Sequence, residues 1–304
     1  MKLSIIVVSW NTRQLLDDCL TSVYAYPPQE MFEVIVVDNA SHDGSAAMVR
    51  EKFPQVRLVE SPNNVGFAEG NNLAVPLCRG DYILLLNPDT VVKPDAFDAL
   101  TAFMDAHPEA GAAGSMLLNP DETLQPSCHP APRLSRDLWR LFHLDVVAAY
   151  GRYHMHKWPT DTPREVDVIQ GASMIVRKAI LDRIGFLDGD YFMYSEEVDL
   201  CYRLQQAGWR LYWVPGSRVI HYGGQSTKQV ATDMFLQLYL GKLKYFRKHY
   251  GQMAGVGYKL VLVLAAVFRL ALTPLTWFQH GPERQKNQTL ARHYGRLLKT
   301  IPGM

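Results

Sequence analysis

The chain has 304 residues, 48% apolar and 20% charged. That composition fits one large globular domain, or one domain with an appendage, and excludes disorder, collagen and coiled coil as descriptions of the whole. A formal net charge of +1 excludes a uniformly basic nucleic-acid binder, yet residues 240–304 hold eleven of the 31 Lys and Arg and one of the 30 Asp and Glu, so a basic tail follows an acidic body.

The elements follow in chain order. Residues 3–8 form a run that is apolar and β-branched but for Leu3 and Ser4, the serine being its one polar residue. Ser9, Trp10 and Asn11 end it too soon for a secretory signal peptide, so it is predicted to be a buried first strand. Leu15, Leu16, Cys19, Leu20 and Val23 recur at helical spacing. Residues 34–37 are a second predicted strand, 46–53 a helix, 56–59 a strand, 67–77 a helix and 82–86 a fourth strand. Such alternation predicts a parallel sheet with helices on both faces. A helix at 95–106 and a strand near 112–118 follow. Residues 119–165 are irregular, with six prolines and a short helix expected near 135–149. Order resumes at 168–176, followed by a helix at 196–207 and two strands, 210–214 and 218–220. The four cysteines (Cys19, Cys78, Cys128, Cys201) show no CxxC spacing, which argues against a zinc site or a disulfide framework and for a reducing compartment.

The tail reads differently. Residues 254–278 are apolar nearly all round a helix, interrupted by Lys259 and Arg269, and the uninterrupted run of nine is too short to span a bilayer. Lys242, Lys244, Arg247 and Lys248 precede it, and Arg284, Lys286, Arg292, Arg296 and Lys299 follow it. This pattern predicts a helix lying in an anionic leaflet. The alternative is a helix packed on the body or on a second copy of the chain.

Polar residues cluster just after the strands, at the edge where open α/β sheets bind ligands. Asp89, in Asn87-Pro88-Asp89, follows four apolar strand residues; a carboxylate there suits a divalent cation, Mn²⁺ or Mg²⁺, although taken alone the tripeptide is better explained as an Asx-Pro turn, and only the polar residues at the neighbouring strand ends favour a site. Asp38 ends the second strand, where it could accept the imide N–H of uracil or thymine. Asn64 and Gly66 lie in a polar turn that opens a helix and presents backbone N–H groups to a ribose or diphosphate. Glu196, Glu197 and Asp199 crowd a helix start; such crowding in a pocket raises a carboxylate pKa and makes a general base. Glu196 and Asp199 share a face, and Glu197 points about 100–200° away from them. The pattern alone leaves open which of the three faces the site. His221 ends a strand before Gly223 and Gly224, where it could join Asp89 on a metal or phosphate.

Taken together, SIIVVSWN, VVDNASHDGS, NNVGFAEGNN, LLLNPDT, GASMIVR, YSEEVDLCYRL and VIHYGGQS, in this order over residues 1–228, resemble the inverting family-2 glycosyltransferases of the GT-A fold. The subgroup they look most like is the bacterial rhamnosyltransferase-type enzymes of O-antigen and envelope polysaccharide assembly. The resemblance implies an α/β architecture: a Rossmann-like mixed sheet with helices on both faces, followed by a helical basic and apolar tail. It implies a nucleotide-sugar-binding half at 1–118, an acceptor and catalytic half at 119–228, and a membrane-associating or oligomerising region at 229–304. By the same resemblance Ser9, Trp10, Asn11 and Asp38 hold base and ribose, Asn64 and Gly66 lie against the nucleoside, and Asn87-Pro88-Asp89 stands where the family has DxD. Asp89 then meets the metal, with His221 helping, and Asn87 replaces the first Asp. The family's base falls on Glu197, with Asp199 in reserve. The donor expected is a dTDP- or UDP-sugar and the acceptor a glycan or polyprenyl-diphosphate-linked sugar. The enzyme would be cytoplasmic, peripheral on the inner face of the membrane. A silent nucleotide-sugar or lipid-carrier binding module is the alternative from another class. A nicotinamide-binding domain is disfavoured, because no GxGxxG follows the first strand.

Overall fold

The computed structural model describes residues 1–142, 144–147, 150–225, 229–274 and 281–303, without the side chains of residues 146, 282, 283 and 286. Part of the short helix expected near 135–149, the last residue of the VIHYGGQS motif, the boundary at 228, residues 275–278 of the apolar stretch and the Glu283 and Lys286 side chains lie outside the described residues.

The chain forms two compact units, residues 1–131 with 153–229, and residues 132–152 with 230–304. The first opens with β1 (Leu3–Ser9), α1 (Arg13–Ala25), β2 (Phe32–Asp38), α2 (Ser45–Lys52), β3 (Arg57–Glu60), α3 (Gly66–Ala74) and β4 (Tyr82–Leu86). All seven residues of β1 and all five of β4 are buried, as a strand covered on both faces requires. After α3 a 3-10 turn at Val75–Leu77 takes the place of the last predicted helical residues, because Pro76 has no N–H for the helix. There follow β5 (Thr90–Val92), α4 (Ala96–Ala106), β6 (Ala110–Leu118) and β7 (Cys128–His129).

In the second unit α5 (Leu134–Leu141) is followed by a 3-10 turn at Leu144–Val146. The first unit resumes with β8 (Arg164–Glu165), β9 (Val168–Ile169), β10 (Ser173–Arg177), α6 (Lys178–Ile184), α7 (Glu196–Gln206) and β11 (Arg210–His221). The two strands expected at 210–214 and 218–220 are one strand. Pro215 and Gly216 read as a turn, but a bulge between Val214 and Arg218 absorbs them and the pairing with β6 continues. Strands β5, β7 and β8 and helix α6 are too short to show a periodicity and were not foreseen.

The sheet runs β3-β2-β1-β4-β10-β6-β11-β5, with β8 on β11. Strands β1 to β4 are mutually parallel where they pair, β10 is antiparallel to both β4 and β6, and β5 is antiparallel to β11. The sheet is therefore mixed, as the resemblance implied. Strand alternation divides the core. Leu3, Ile5 and Val7 join Leu16, Leu20, Met48, Val49, Phe97 and Leu100 of α1, α2 and α4 in one apolar cluster. Val8 points the other way, toward α3, where a Cβ on Gly70 would come within 2.8 Å of it. Each fully buried Leu or Ile contributes about 1.5–3 kcal/mol.

In the second unit α5 is joined by α8 (Ala231–Tyr250), α9 (Gln252–Leu272) and α10 (Gly281–Thr300). Gly251, at φ +86°, breaks α8 from α9 in a conformation that favours glycine. Helix α9 runs through Lys259 and Arg269, so its 21 residues are long and apolar enough to cross a membrane, beyond the nine-residue run counted in the sequence. Tyr258, Leu262, Ala265 and Ala266 are buried, whereas Met253, Val256, Leu260, Leu264, Val267, Phe268 and Leu272 are exposed as a stripe. Arg269 stacks 5.1 Å from the Tyr294 ring, and Lys242 pairs with the buried Asp137.

Candidate active site

The ends of β1 and β2 are in register, Ser9 beside Asp38. Beyond them the chain turns through two left-handed residues, Asn11 (φ +50°) and Ala40 (φ +61°). Asn11 ties the two loops: its N–H donates to Ser41 Oγ at 2.9 Å and its Oδ1 accepts the His42 N–H at 2.8 Å. Ser9 Oγ lies 3.0 Å from Thr12 Oγ1, and Trp10 is half-buried. Asp38 is 4% exposed. Its Oδ2 accepts the Ser41 N–H at 3.0 Å, and its Oδ1 is buried without a hydrogen-bond partner among the described residues. A buried acceptor is costly left alone, so this atom fits a ligand donor such as a pyrimidine imide N–H.

Asn64 Oδ1 accepts from Asn39 Nδ2 (2.9 Å) and from the Gly66 N–H (3.0 Å), and Asn39 Oδ1 accepts the Val65 N–H at 2.9 Å. The turn is thus a closed amide network that holds the α3 N-terminus toward the sheet edge. Gly66 has φ +84°, and a Cβ there would sit 2.2 Å from the Phe192 carbonyl oxygen. Phe67 N–H donates to that same oxygen at 2.8 Å. Only glycine permits this approach, which joins the Asn64 turn to the segment leading into α7.

Asn87 N–H donates to Ala172 O at 2.9 Å, and Thr90 Oγ1 donates to Asn87 O at 2.7 Å. Strand β5 then pairs with β11 so that Thr90 lies beside His221, bringing the histidine to Asp89. His221 Nε2 is 3.4 Å from Asp89 Oδ1 and 3.4 Å from Asn87 Nδ2. Asp89 is 6% exposed and His221 3%. No third carboxylate, imidazole or thiolate completes a metal-binding group among the described residues. One carboxylate with an imidazole suits a Mn²⁺ or Mg²⁺ that takes its other ligands from phosphate oxygens and water.

Helix α7 starts after two consecutive left-handed residues, Tyr194 (φ +69°) and Ser195 (φ +74°), strain of the kind that collects at functional sites. The three acids separate. Asp199 is fully buried and accepts from Arg203 Nε at 2.7 Å; Arg203 in turn donates to the carbonyls of Ile184, Gly185 and Phe186. Asp199 is thereby the anchor of a clamp on the 184–186 turn. Burial pushes both Glu196 and Glu197 above the usual carboxylate range, and the Glu197 charge adds to the effect on Glu196. Each has a buried Oε2 without a partner among the described residues. Glu197 faces the Phe67 and Gly171 side: a Cβ on Gly171 would lie 3.7 Å from Glu197 Cβ and 3.6 Å from the Phe67 ring. Gly171 precedes Ala172, the residue that anchors Asn87.

The fold of the first unit recurs in known proteins. The model described as glycosyl transferase family 2 matches residues 4–180. The chain belongs to this family. It is 31% identical over 238 residues to the rhamnosyltransferase WbbL of Escherichia coli (strain K12), covering 76% of this chain and 87% of that one. It is 28% identical over 245 residues to N-acetylglucosaminyl-diphospho-decaprenol L-rhamnosyltransferase of Mycobacterium tuberculosis (strain ATCC 25618 / H37Rv), covering 74% and 77%. The mannosyltransferase PcManGT from Pyrobaculum calidifontis, solved in complex with GDP-Man and Mn²⁺, shares the GT-A architecture with a TM-score of 0.58 and 19% identity over 98% of this chain and 85% of its own.

The arrangement thus presents an unpartnered buried acceptor at Asp38, a carboxylate beside an imidazole at Asp89 and His221, and carboxylates of raised proton affinity at the start of α7. Sequence reasoning missed Asn39 as the partner of Asn64, Phe192 as the reason for Gly66, and Gln125, whose Oε1 lies 2.6 Å from His221 Nδ1. The adjacency of Asn39 to Asp38 was a usable signal for the first. The other two depend on long-range packing.

Proposed function

We propose that the chain transfers L-rhamnose from dTDP-rhamnose, with inversion at C1, to a polyprenyl-diphosphate-linked or polysaccharide acceptor in bacterial envelope glycan synthesis. The observation that carries this reading is the placement on one sheet edge of the unpartnered Asp38 oxygen, the Asp89–His221 pair and the half-buried Glu197 with its unpartnered Oε2. The names of the two relatives support the donor sugar, and that of the mycobacterial relative supports the lipid-linked acceptor.

The chemistry follows from the residues. Asp38 and the Asn64 turn orient the nucleoside. Asp89 and His221 would hold a divalent cation, which when bound supplies positive charge against the departing diphosphate. Glu197 accepts the proton of the acceptor hydroxyl as that oxygen bonds to C1. The C1–O bond breaks with its electron pair leaving on the diphosphate. Attack opposite the leaving group inverts C1 in one displacement, with no covalent enzyme intermediate.

Thermal denaturation with dTDP, UDP, GDP and ADP, each with and without Mn²⁺, tests this reading. A metal-dependent rise is expected, larger for dTDP than UDP, and at 100 times Kd it corresponds to about 2.7 kcal/mol. A rise with UDP alone overturns the donor; no rise with any diphosphate in folded protein overturns the catalytic reading.

The exposed stripe on α9 and the basic residues around it support docking on an anionic leaflet at the cytoplasmic face of the membrane. Replacing both Leu260 and Leu264 by Glu is expected to weaken sedimentation with anionic vesicles by at least about tenfold, while the dTDP-induced thermal shift is kept. Undiminished vesicle binding together with loss of a dimer in ultracentrifugation would instead assign the stripe to a second copy of the chain.

A further inference from the structure

On the side away from Asp89, His221 ends a run of side-chain hydrogen bonds that the proposed reaction does not use. A tight hairpin follows β6, with Asn119 N–H on Thr123 O (2.8 Å), Glu122 N–H on Asn119 O (2.8 Å) and Glu122 at φ +63°. Within it Thr123 Oγ1 donates to Asp121 Oδ1 at 2.6 Å. An ionised carboxylate only accepts, so the threonine hydroxyl has spent its single hydrogen there and meets Asn119 Nδ2, 2.9 Å away, as an acceptor. Asn119 therefore turns its Oδ1 to Gln125 Nε2 at 3.0 Å. Gln125 Nε2 also donates to the His221 main-chain oxygen at 3.0 Å. Both of its hydrogens are committed, and Gln125 Oε1 faces His221 Nδ1 at 2.6 Å with acceptor capacity alone. The hydrogen between them must sit on Nδ1. In the neutral ring Nε2 then carries the lone pair, 3.4 Å from Asp89 Oδ1 and within reach of the Asn87 Nδ2 donor at 3.4 Å.

We propose that Gln125 is a positioning residue: oriented by the Asp121–Thr123–Asn119 chain, it holds His221 in the Nδ1–H tautomer and so presents Nε2 to a divalent cation beside Asp89. The inference rests on the metal role proposed for Asp89 and His221. Histidine ligands commonly depend on such an outer partner, whose loss lowers metal affinity about 10–100-fold. A brace that merely supported the end of β11 would need only the Nε2 bond to the His221 carbonyl. The polarity of the whole chain and the bond to Nδ1 have a consequence for the ring itself.

The test uses the full chain, free of metal, with ¹⁵N-labelled histidine and NMR at a pH where the ring is neutral. Mn²⁺ affinity is measured by calorimetry for wild type, Gln125→Leu, Gln125→Glu and His221→Ala. The expected result is an Nδ1–H ring in wild type, a mixture of tautomers and a 10–100-fold weaker Mn²⁺ affinity in Gln125→Leu, and recovery of most of the affinity in Gln125→Glu, whose carboxylate accepts the same bond. A wild-type ring protonated on Nε2 overturns the proposal and needs no variant to fold. Gln125→Leu equal to wild type in tautomer and affinity, beside a His221→Ala protein that has lost the metal, overturns the role of Gln125 alone. His221→Ala binding Mn²⁺ as wild type does removes the metal reading, and this proposal with it.

Discussion

Glu197→Gln is expected to lower kcat by about 10²–10⁴-fold, the range of a lost general base, while dTDP still raises the melting temperature as it does in wild type. Glutamine keeps the shape and removes the proton acceptor, so binding and chemistry separate. The pH profile supplies the sign. Glu197 must be ionised to accept a proton, and burial raises its pKa. Activity should therefore fall as pH drops through a value above the ordinary Glu range of about 4.3. The neighbouring acids give different signatures. Glu196 has its folded pKa raised by burial and by the Glu197 charge, so it favours the fold while protonated and that contribution is lost as pH rises through the folded pKa. Glu196→Gln should then keep kcat within about tenfold of wild type and gain melting temperature over it at alkaline pH. Asp199→Ala leaves Arg203 unpaired and should cost stability on the order of 3 kcal/mol. A dead Glu196→Gln beside an active Glu197→Gln would move the base to Glu196.

The half of the fold that binds nucleotide was legible because its physics is local. Residues 3–8, Ser4 apart, 34–37 and 82–86 are apolar on both faces, as a covered parallel strand requires, and each is followed by a polar residue. The later half was less legible. Strand β10 joins the sheet between β4 and β6 from far along the chain, and nothing in Ser173–Arg177 announces its antiparallel direction. Pro215 read as the end of a strand because a bulge depends on the partner strand, which lies elsewhere in sequence. The site divided in the same way. Asp38 and Asp89 stand at strand ends and were visible as carboxylates at a sheet edge. The three acids of α7 could be found but were not sorted: the i,i+4 spacing of Asp199 and Arg203 on one helix was a local signal left unused, whereas Gly171 facing Glu197 is a tertiary fact. Gln125 had no signal: an amide in a proline-rich loop acquires meaning only when β11 brings His221 2.6 Å from it.

Asp89→Ala is expected to lower kcat/KM by about 10²–10³-fold, comparable to the loss of one group that stabilises developing charge, and to make the dTDP-induced thermal shift indifferent to Mn²⁺. The charge count at the site sharpens this. Asn87 is an amide, so Asp89 brings the only carboxylate of the Asn87-Pro88-Asp89 strand end, with the His221 imidazole 3.4 Å away. A doubly charged cation on such a pair remains undercompensated until a diphosphate arrives. Mn²⁺ alone should then bind weakly and gain affinity when dTDP is present, and by linkage dTDP must gain by the same factor when Mn²⁺ is present. Asn87→Asp adds a carboxylate beside His221 and is expected to raise nucleotide-free Mn²⁺ affinity at least about tenfold, since even at an effective dielectric of ~20 a charge pair at close range exceeds 1.4 kcal/mol. The added charge also opposes the incoming diphosphate, so the mutual enhancement between Mn²⁺ and dTDP should shrink in Asn87→Asp. Calorimetric titrations of Mn²⁺ with and without dTDP, on wild type, Asp89→Ala and Asn87→Asp, read all three effects. Equal Mn²⁺ affinity in Asp89→Ala and wild type would remove Asp89 from the metal, and an unchanged affinity in Asn87→Asp would mean that the cation sits away from the strand end.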